Sequence, residues 1–231
     1  KYTNAYNNLG NVYADTGHFN EAIKKLEYFI KLKPQSVNGL YNLGNAYFKL
    51  GLYNGRMEQL DSAFFNYNES KKIYEFLNDS VAVGDRLLNM AILSSDAGNY
   101  NESDEIAIES LTFLKNFEEP IIKASNYNCL AINAKEGKEY KEALYWYDLA
   151  IKTTKNDHNR IIYRSNVANI YRIQGDYPKA ITLYKSLLED LKNKLFNYAQ
   201  GQYLKNLDFK NKNYEFSFRL IPISYDIVME E

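Results

Sequence analysis

The side chains able to do chemistry are few and widely separated. There are two histidines. His18 sits between Gly17 and Phe19, and His158 lies in the polar run Lys155-Asn156-Asp157-His158-Asn159-Arg160. Neither has a carboxylate and a nucleophile placed around it by spacing. Cys129, a single cysteine, stands among apolar residues and reads as a buried thiol, not a nucleophile. One cysteine excludes an intramolecular disulfide and a cysteine-based zinc cluster. The acid pair Glu118-Glu119 precedes Pro120, the pattern of a helix start. Gly51-Leu52-Tyr53-Asn54-Gly55 reads as a loop, without the strand-to-helix setting of a phosphate-binding turn. The expectation is a non-enzymatic chain with no catalytic residue, cofactor or metal.

Composition narrows the class. The chain has 231 residues, and Lys+Arg 28 against Asp+Glu 29 leaves a net charge of -1. Nucleic acid and anionic membrane both call for a basic excess, so neither is an expected partner. No apolar run approaches the roughly 20 residues of a bilayer span. Pro 4 and Gly 11 leave little punctuation for an all-β chain, and Tyr 22 supplies large amphipathic side chains. Packed helices are expected. The chain begins Lys1-Tyr2. It is read as a fragment of a longer protein, its compartment open, with the cytoplasm as working expectation.

Internal repetition organises the chain. Tyr6-Asn7-Asn8-Leu9-Gly10-Asn11-Val12-Tyr13 returns as Tyr41-Asn42-Leu43-Gly44-Asn45-Ala46-Tyr47, each followed by a glycine and an aromatic, Gly17 with Phe19 and Gly51 with Tyr53. The second half, Gly17-His18-Phe19-Asn20-Glu21-Ala22, is echoed at 96–103, 138–143 and 175–180, and weakly at 212–217. Each copy reads as helix, tight turn, helix. Apolar residues follow helical spacing, Gly17 ends the first helix, and Asn20 caps the second. Small residues at Gly10, Gly44, Ala91, Ala131 and Ala168 let paired helices approach. Residues 52–59 form an insertion between the helices of the second copy, and Gly137 comes one position early in the fourth.

This pattern of aromatic, Leu-Gly, Tyr, Gly-x-aromatic, Ala and closing Pro34 resembles the tetratricopeptide repeat. The longer second copy resembles the subclass of kinesin light chains and bacterial sensor proteins. The resemblance implies an all-α, right-handed superhelical solenoid of about six repeats in one domain, 1–231. The boundaries are 3–36, 37–80, 81–118, 119–156, 157–193 and 194–231.

In that family the first helices line a concave groove. Asn8, Asn42, Asn89 and Asn166 then resemble an asparagine ladder that grips the backbone of an extended peptide, an amide offering both donors and an acceptor. Asn11, Asn45 and Asn169 support them, and Tyr41, Phe48, Leu88 and Ile92 would pocket side chains. The alternative is that these amides bond neighbouring backbone and helices. Leu88 and Ile92 stand where a chaperone-tail carboxylate clamp has cations, so that ligand is rejected. The expected function is a protein or peptide scaffold. Alternatives are a regulatory segment controlling an effector domain in the same chain, and a self-association module using Phe209, Tyr214, Phe216 and Phe218.

Overall fold

The computed structural model describes residues 3–210, and side chains are described for 3–193. Every regular element among them is a helix: α1 Thr3–Asp15, α2 Phe19–Leu32, α3 Val37–Arg56, α4 Leu60–Phe76, α5 Ser80–Asp96, α6 Tyr100–Phe113, α7 Pro120–Glu136, α8 Tyr140–Thr153, α9 Asp157–Ile173 and α10 Tyr177–Lys210. The chain divides into two units between Tyr184 and Lys185. The first is the stack of helix pairs. The second is described as the helical stretch 185–210.

Within the first unit, α1, α3, α5 and α7 each pack on the even helix that follows, and α2, α4, α6 and α8 each on the next odd one. Odd helices also touch across repeats, α1 with α3 and α5 with α7, whereas among the described residues no even pair packs to that extent. The odd helices therefore line the inner side and the even helices fan outward, the arrangement of a helical-pair solenoid.

The turn joining the helices of a pair fixes the register. One residue in each turn takes the left-handed conformation: Gly17 (φ 82), Glu58 (φ 58), Gly98 (φ 81), Lys138 (φ 62) and Gly175 (φ 79). In the fourth repeat Lys138, not the early Gly137, occupies this position, so Gly137 keeps helical backbone at φ -69. Residues 58, 98 and 138 stand 40 apart, making the middle of the stack a regular array of long repeats.

Repeat two corrects the sequence reading. Residues 52–56 continue α3, a 20-residue helix, and the turn falls at Glu58. Gly51 is a buried helical residue, and the Gly51–Gly55 stretch is not a loop. Seven steps before the left-handed residue stand Gly10, Gly51, Ala91, Ala131 and Ala168. Gly51, not Gly44, is therefore the small residue of repeat two in that register. A Cβ on Gly10 would lie 2.6 Å from Leu26 Cγ, and one on Gly51 2.6 Å from Tyr67 Cδ1. Leu26 and Tyr67 are the same position of the second helix. Facing this row, five steps past the turn, lie the buried Ala22, Ala63, Ser103, Ala143 and Ala180.

Two further expectations change. α2 starts at Phe19 with His18 as its N-cap, so Asn20 is inside the first turn. The boundary expected at 193/194 lies inside α10, because the sequence from Lys179 to Gln200 has neither glycine nor proline to break a helix. Genuine side-chain caps occur at Ser36, Asp79 and Asn156, which accept from Gly39 N, Ala82 N and the His158 and Asn159 amides.

The register yields a paired test. Gly51→Ala forces its methyl against the Tyr67 ring and should cost about 1–3 kcal/mol by overpacking. Gly55→Ala, four residues on in the same helix, meets nothing closer than 3.8 Å. It should stabilise by about 0.5–1 kcal/mol through helix propensity alone. Urea denaturation of the two variants reads the difference. Equal effects of one sign would contradict the packing at Gly51.

Candidate functional site: the inner face of the odd helices

Side-chain bonds join the odd helices that line the inner face. Asn42 Nδ2 donates to Asn7 Oδ1 at 2.9 Å, and Lys49 Nζ meets Asp15 Oδ1 at 2.8 Å, joining α3 to α1. Arg86 Nη2 reaches Asn45 Oδ1 at 3.4 Å between α5 and α3. Ser95 Oγ donates to Asn133 Oδ1 at 2.6 Å between α5 and α7.

Two rows run along this face. Ten steps before the left-handed turn residue stand Asn7, Phe48, Leu88, Asn128 and Ser165, and six steps before it Asn11, Leu52, Ile92, Ile132 and Asn169. By register the centre of these rows is apolar, a belt of Phe48 and Leu52 on α3, Leu88 and Ile92 on α5 and Ile132 on α7, of which Phe48, Leu52 and Ile132 also pack against the core. Leu88 is buried, Phe48, Leu52 and Ile132 are half-buried, and Ile92 is 41% exposed. Amides stand at the two ends, Asn7, Asn8 and Asn11 on α1 and Asn166 and Asn169 on α9.

The register shift moves two expected site residues. Nine steps before the turn, repeat two has Lys49, not Asn42, so the row reads Asn8, Lys49, Asn89, Cys129, Asn166. Likewise Leu52, not Asn45, joins Asn11, Ile92, Ile132 and Asn169. Several of these amides hold intramolecular bonds. Asn89 Nδ2 donates to its own helix at Asp85 O, 2.7 Å. Asn45 Oδ1 accepts from Tyr74 Oη at 2.8 Å. Asn169 Oδ1 accepts from Arg172 Nε at 3.1 Å and Nη2 at 2.9 Å. Asn166 sits beside the buried Tyr147 hydroxyl. Asn8 is exposed and Asn11 half-buried, and neither makes a side-chain hydrogen bond among the described residues.

Sequence reasoning missed Arg86, which ties repeats two and three together. Its guanidinium lies between two rings, 3.9 Å from the Phe48 centroid and 4.6 Å from that of Tyr74. It also pairs with Asp85 Oδ2 at 2.7 Å, and its Nε donates to Ser70 Oγ at 3.2 Å. Ser70 in turn donates to the Gly44 carbonyl at 2.7 Å. Forty residues on, the motif recurs without charge: Ser110 Oγ donates to Gly84 O at 2.7 Å, and Asn126 Nδ2 donates to Ser110 Oγ at 2.9 Å. Only the 40-residue spacing could have revealed this equivalence. Tyr41, expected in a pocket, instead donates to Asp79 Oδ2 at 3.0 Å and packs edge-on against Tyr74. That hydrogen bond raises its hydroxyl pKa.

The two histidines and the cysteine stand in separate surroundings. His18 Nδ1 shares a hydrogen bond with Thr16 Oγ1 at 3.0 Å in an exposed turn, and His158 is exposed in the first turn of α9. Cys129 is buried 3.3 Å from Ser103 Oγ, and burial pushes its thiol up, away from the reactive thiolate. Among the described residues no His, Cys, Asp and Glu group could hold a metal ion, and no helix is long and apolar enough to cross a membrane. Of the self-association patch, Phe209 lies outside the described side chains and Tyr214, Phe216 and Phe218 lie beyond the described residues.

Burial raises the Asp85 pKa, with Arg86 as the opposing influence. Removing Arg86 leaves that carboxylate in a poorly solvated place, so Arg86→Met should cost about 3 kcal/mol at neutral pH. An acid whose folded pKa stands above its unfolded value gives stability that is present at low pH and lost as pH rises through the folded value. The deficit relative to the parent chain should therefore shrink near pH 4. Urea titrations at the two pH values check this, and an unchanged deficit would show that Asp85 does not carry the cost.

Comparisons with known proteins agree with this architecture. Residues 10–51 match a family model described as TPR repeat, and residues 164–197 one described as tetratricopeptide repeat. No curated protein sequence shows significant similarity to the chain. Solved structures do share the fold. BtubC (BKLC) from P. vanneervenii superposes with a TM-score of 0.62 at 15% identity, covering 96% of this chain and 85% of that one. The Podosopora anserina putative kinesin light chain with nearly identical TPR-like repeats gives 0.55 at 15%, covering 80% and 93%. MamA from Desulfovibrio magneticus RS-1, residue 41 to the end, gives 0.57 at 13%, covering 82% and 94%. Residues 10–51 and 164–197 thus match tetratricopeptide repeats, and the paired-helix packing between them gives the chain the tetratricopeptide-repeat fold.

Proposed function

We propose that this chain is a non-enzymatic protein-binding scaffold whose inner face takes an extended protein segment. The observation that supports it is the apolar belt of Phe48, Leu52, Leu88, Ile92 and Ile132 on the inner face, with amides to either side. A partly exposed apolar strip flanked by hydrogen-bonding groups suits a segment whose alternate side chains enter the strip while its backbone meets amides. The asparagine ladder is kept in reduced form. Asn8 and Asn11, without intramolecular side-chain bonds among the described residues, are assigned to the ligand backbone. Asn42, Asn45, Asn89, Asn166 and Asn169 contribute through whatever bonding capacity their internal partners leave. This reading serves equally for a chain acting alone and for a segment regulating an effector domain beside it.

The test is capture of partners from the source cell's lysate, followed by affinity measurement on the leading partner. Ile92→Asp places a charge in the belt at an already exposed position, so the fold is retained and binding should weaken at least tenfold, about 1.4 kcal/mol. Asn8→Ala with Asn11→Ala should weaken it about threefold to tenfold, each lost hydrogen bond contributing roughly 0.5–1.5 kcal/mol. Unchanged affinity in both variants would remove the inner face from consideration.

A further inference from the structure

The fanning of the even helices opens a second concavity, on the other side of the stack. Between α4 and α6, floored by the end of α5, lies a cleft of about 550 Å³. Leu60, Phe64 and Phe65 of α4 and Leu93 of α5 form its apolar lining. Phe65 is 59% exposed and Leu60 38% exposed. Clustered around one cleft rather than scattered singly, such apolar side chains mark an interaction surface. The next repeat shows that the lining is particular to this place. Forty residues on, the positions of Phe64 and Leu93 are held by Asp104 and Asn133, which bond each other at 2.7 Å.

The polar lining is one-signed. Asp61 and Glu102 face the cleft, and no lysine or arginine lines it. Glu102 is held in place by Ser94, whose Oγ donates to Oε2 at 3.0 Å. The remaining polar lining, Asn68 and Asn99, is neutral.

We propose that this cleft docks a basic protein segment, one presenting a bulky aliphatic or aromatic side chain between lysines or arginines. The apolar side chain covers Phe64, Phe65 and Leu93, and the flanking cations meet Asp61 and Glu102. An acidic segment of equal apolarity is rejected, because it sets like charges together at the rim. The site is independent of the inner face, and the two can be occupied by different segments.

The probe is a random 12-residue peptide library displayed on phage, selected against the whole chain. Enriched peptides should carry a Leu, Ile, Phe or Trp flanked by Lys or Arg. Synthetic copies should bind at least fivefold more weakly to Phe65→Ala, and to Asp61→Asn with Glu102→Gln. Raised salt should weaken them, and Ile92→Asp should leave them unchanged. Phe65, Asp61 and Glu102 are exposed, so the variants retain the fold, which thermal melts by circular dichroism check. Failure to enrich, enrichment of acidic or uncharged sequences, or indifference to the cleft variants would each overturn the proposal. Peptides lost with Ile92→Asp but not with Phe65→Ala would support the inner-face reading while sinking this one.

Discussion

The close approach of the two helices in each pair governs everything built upon them. At the crossing, a glycine or alanine of the first helix lies against the second helix, where the facing row is Ala22, Ala63, Ser103, Ala143 and Ala180. Small residues on both sides bring the axes close enough for Leu26 or Tyr67 to fill the space a Cβ would otherwise take. Because the interior is close-packed, that spacing is set to within a methyl group. The angle between paired helices follows from it, and with it the separation of an inner face from a fan of outer helices. Both proposed binding surfaces are consequences of that separation.

Most of the fold was legible from the repeated motifs, and the one serious misreading has a geometric cause. Repeat two carries seven extra residues, which is close to two turns of helix at 3.6 residues per turn. An insertion of that length returns the side chains to nearly the same face, about 20° off. Leu43-Gly44-Asn45 and Leu50-Gly51-Leu52 therefore look alike to a pattern, yet sit two turns apart. Gly44 carries the family-like motif, while Gly51 makes the contact with Tyr67 that Gly10 makes with Leu26. The true turn was hidden because Glu58, a residue that rarely adopts positive φ, holds the left-handed position there. Lys138 does so as well, but there Gly137 standing one place early gave a warning.

The inner face was legible in outline and not in detail. Phe48, Leu88 and Ile92 were expected on it through the resemblance to the tetratricopeptide repeat. Leu52 could not, because it belonged to the supposed insertion. The partners of the asparagines were also out of reach, since an amide bonded to Asn7, Asp85 O or Arg172 has the same sequence signature as one facing solvent. Arg86 was invisible for a related reason. An arginine in a helix ordinarily points to water, and only the juxtaposition of Phe48, Tyr74 and Asp85 makes a buried place for it. The cleft depends on Phe64 and Leu93, which reads as ordinary core patterning until the spreading of α4 from α6 is seen.

The continuity of α3 carries the register, and the register decides which residues face the inner side. Hydrogen–deuterium exchange of the amides of 52–56 measures it directly. Amides bonded within an unbroken helix should exchange as slowly as those of 46–50, with rapid exchange confined to the turn around Glu58. Exchange of 52–56 at the rate of an open loop would contradict the continuous helix, return the small-residue position to Gly44, and withdraw Leu52 from the inner face.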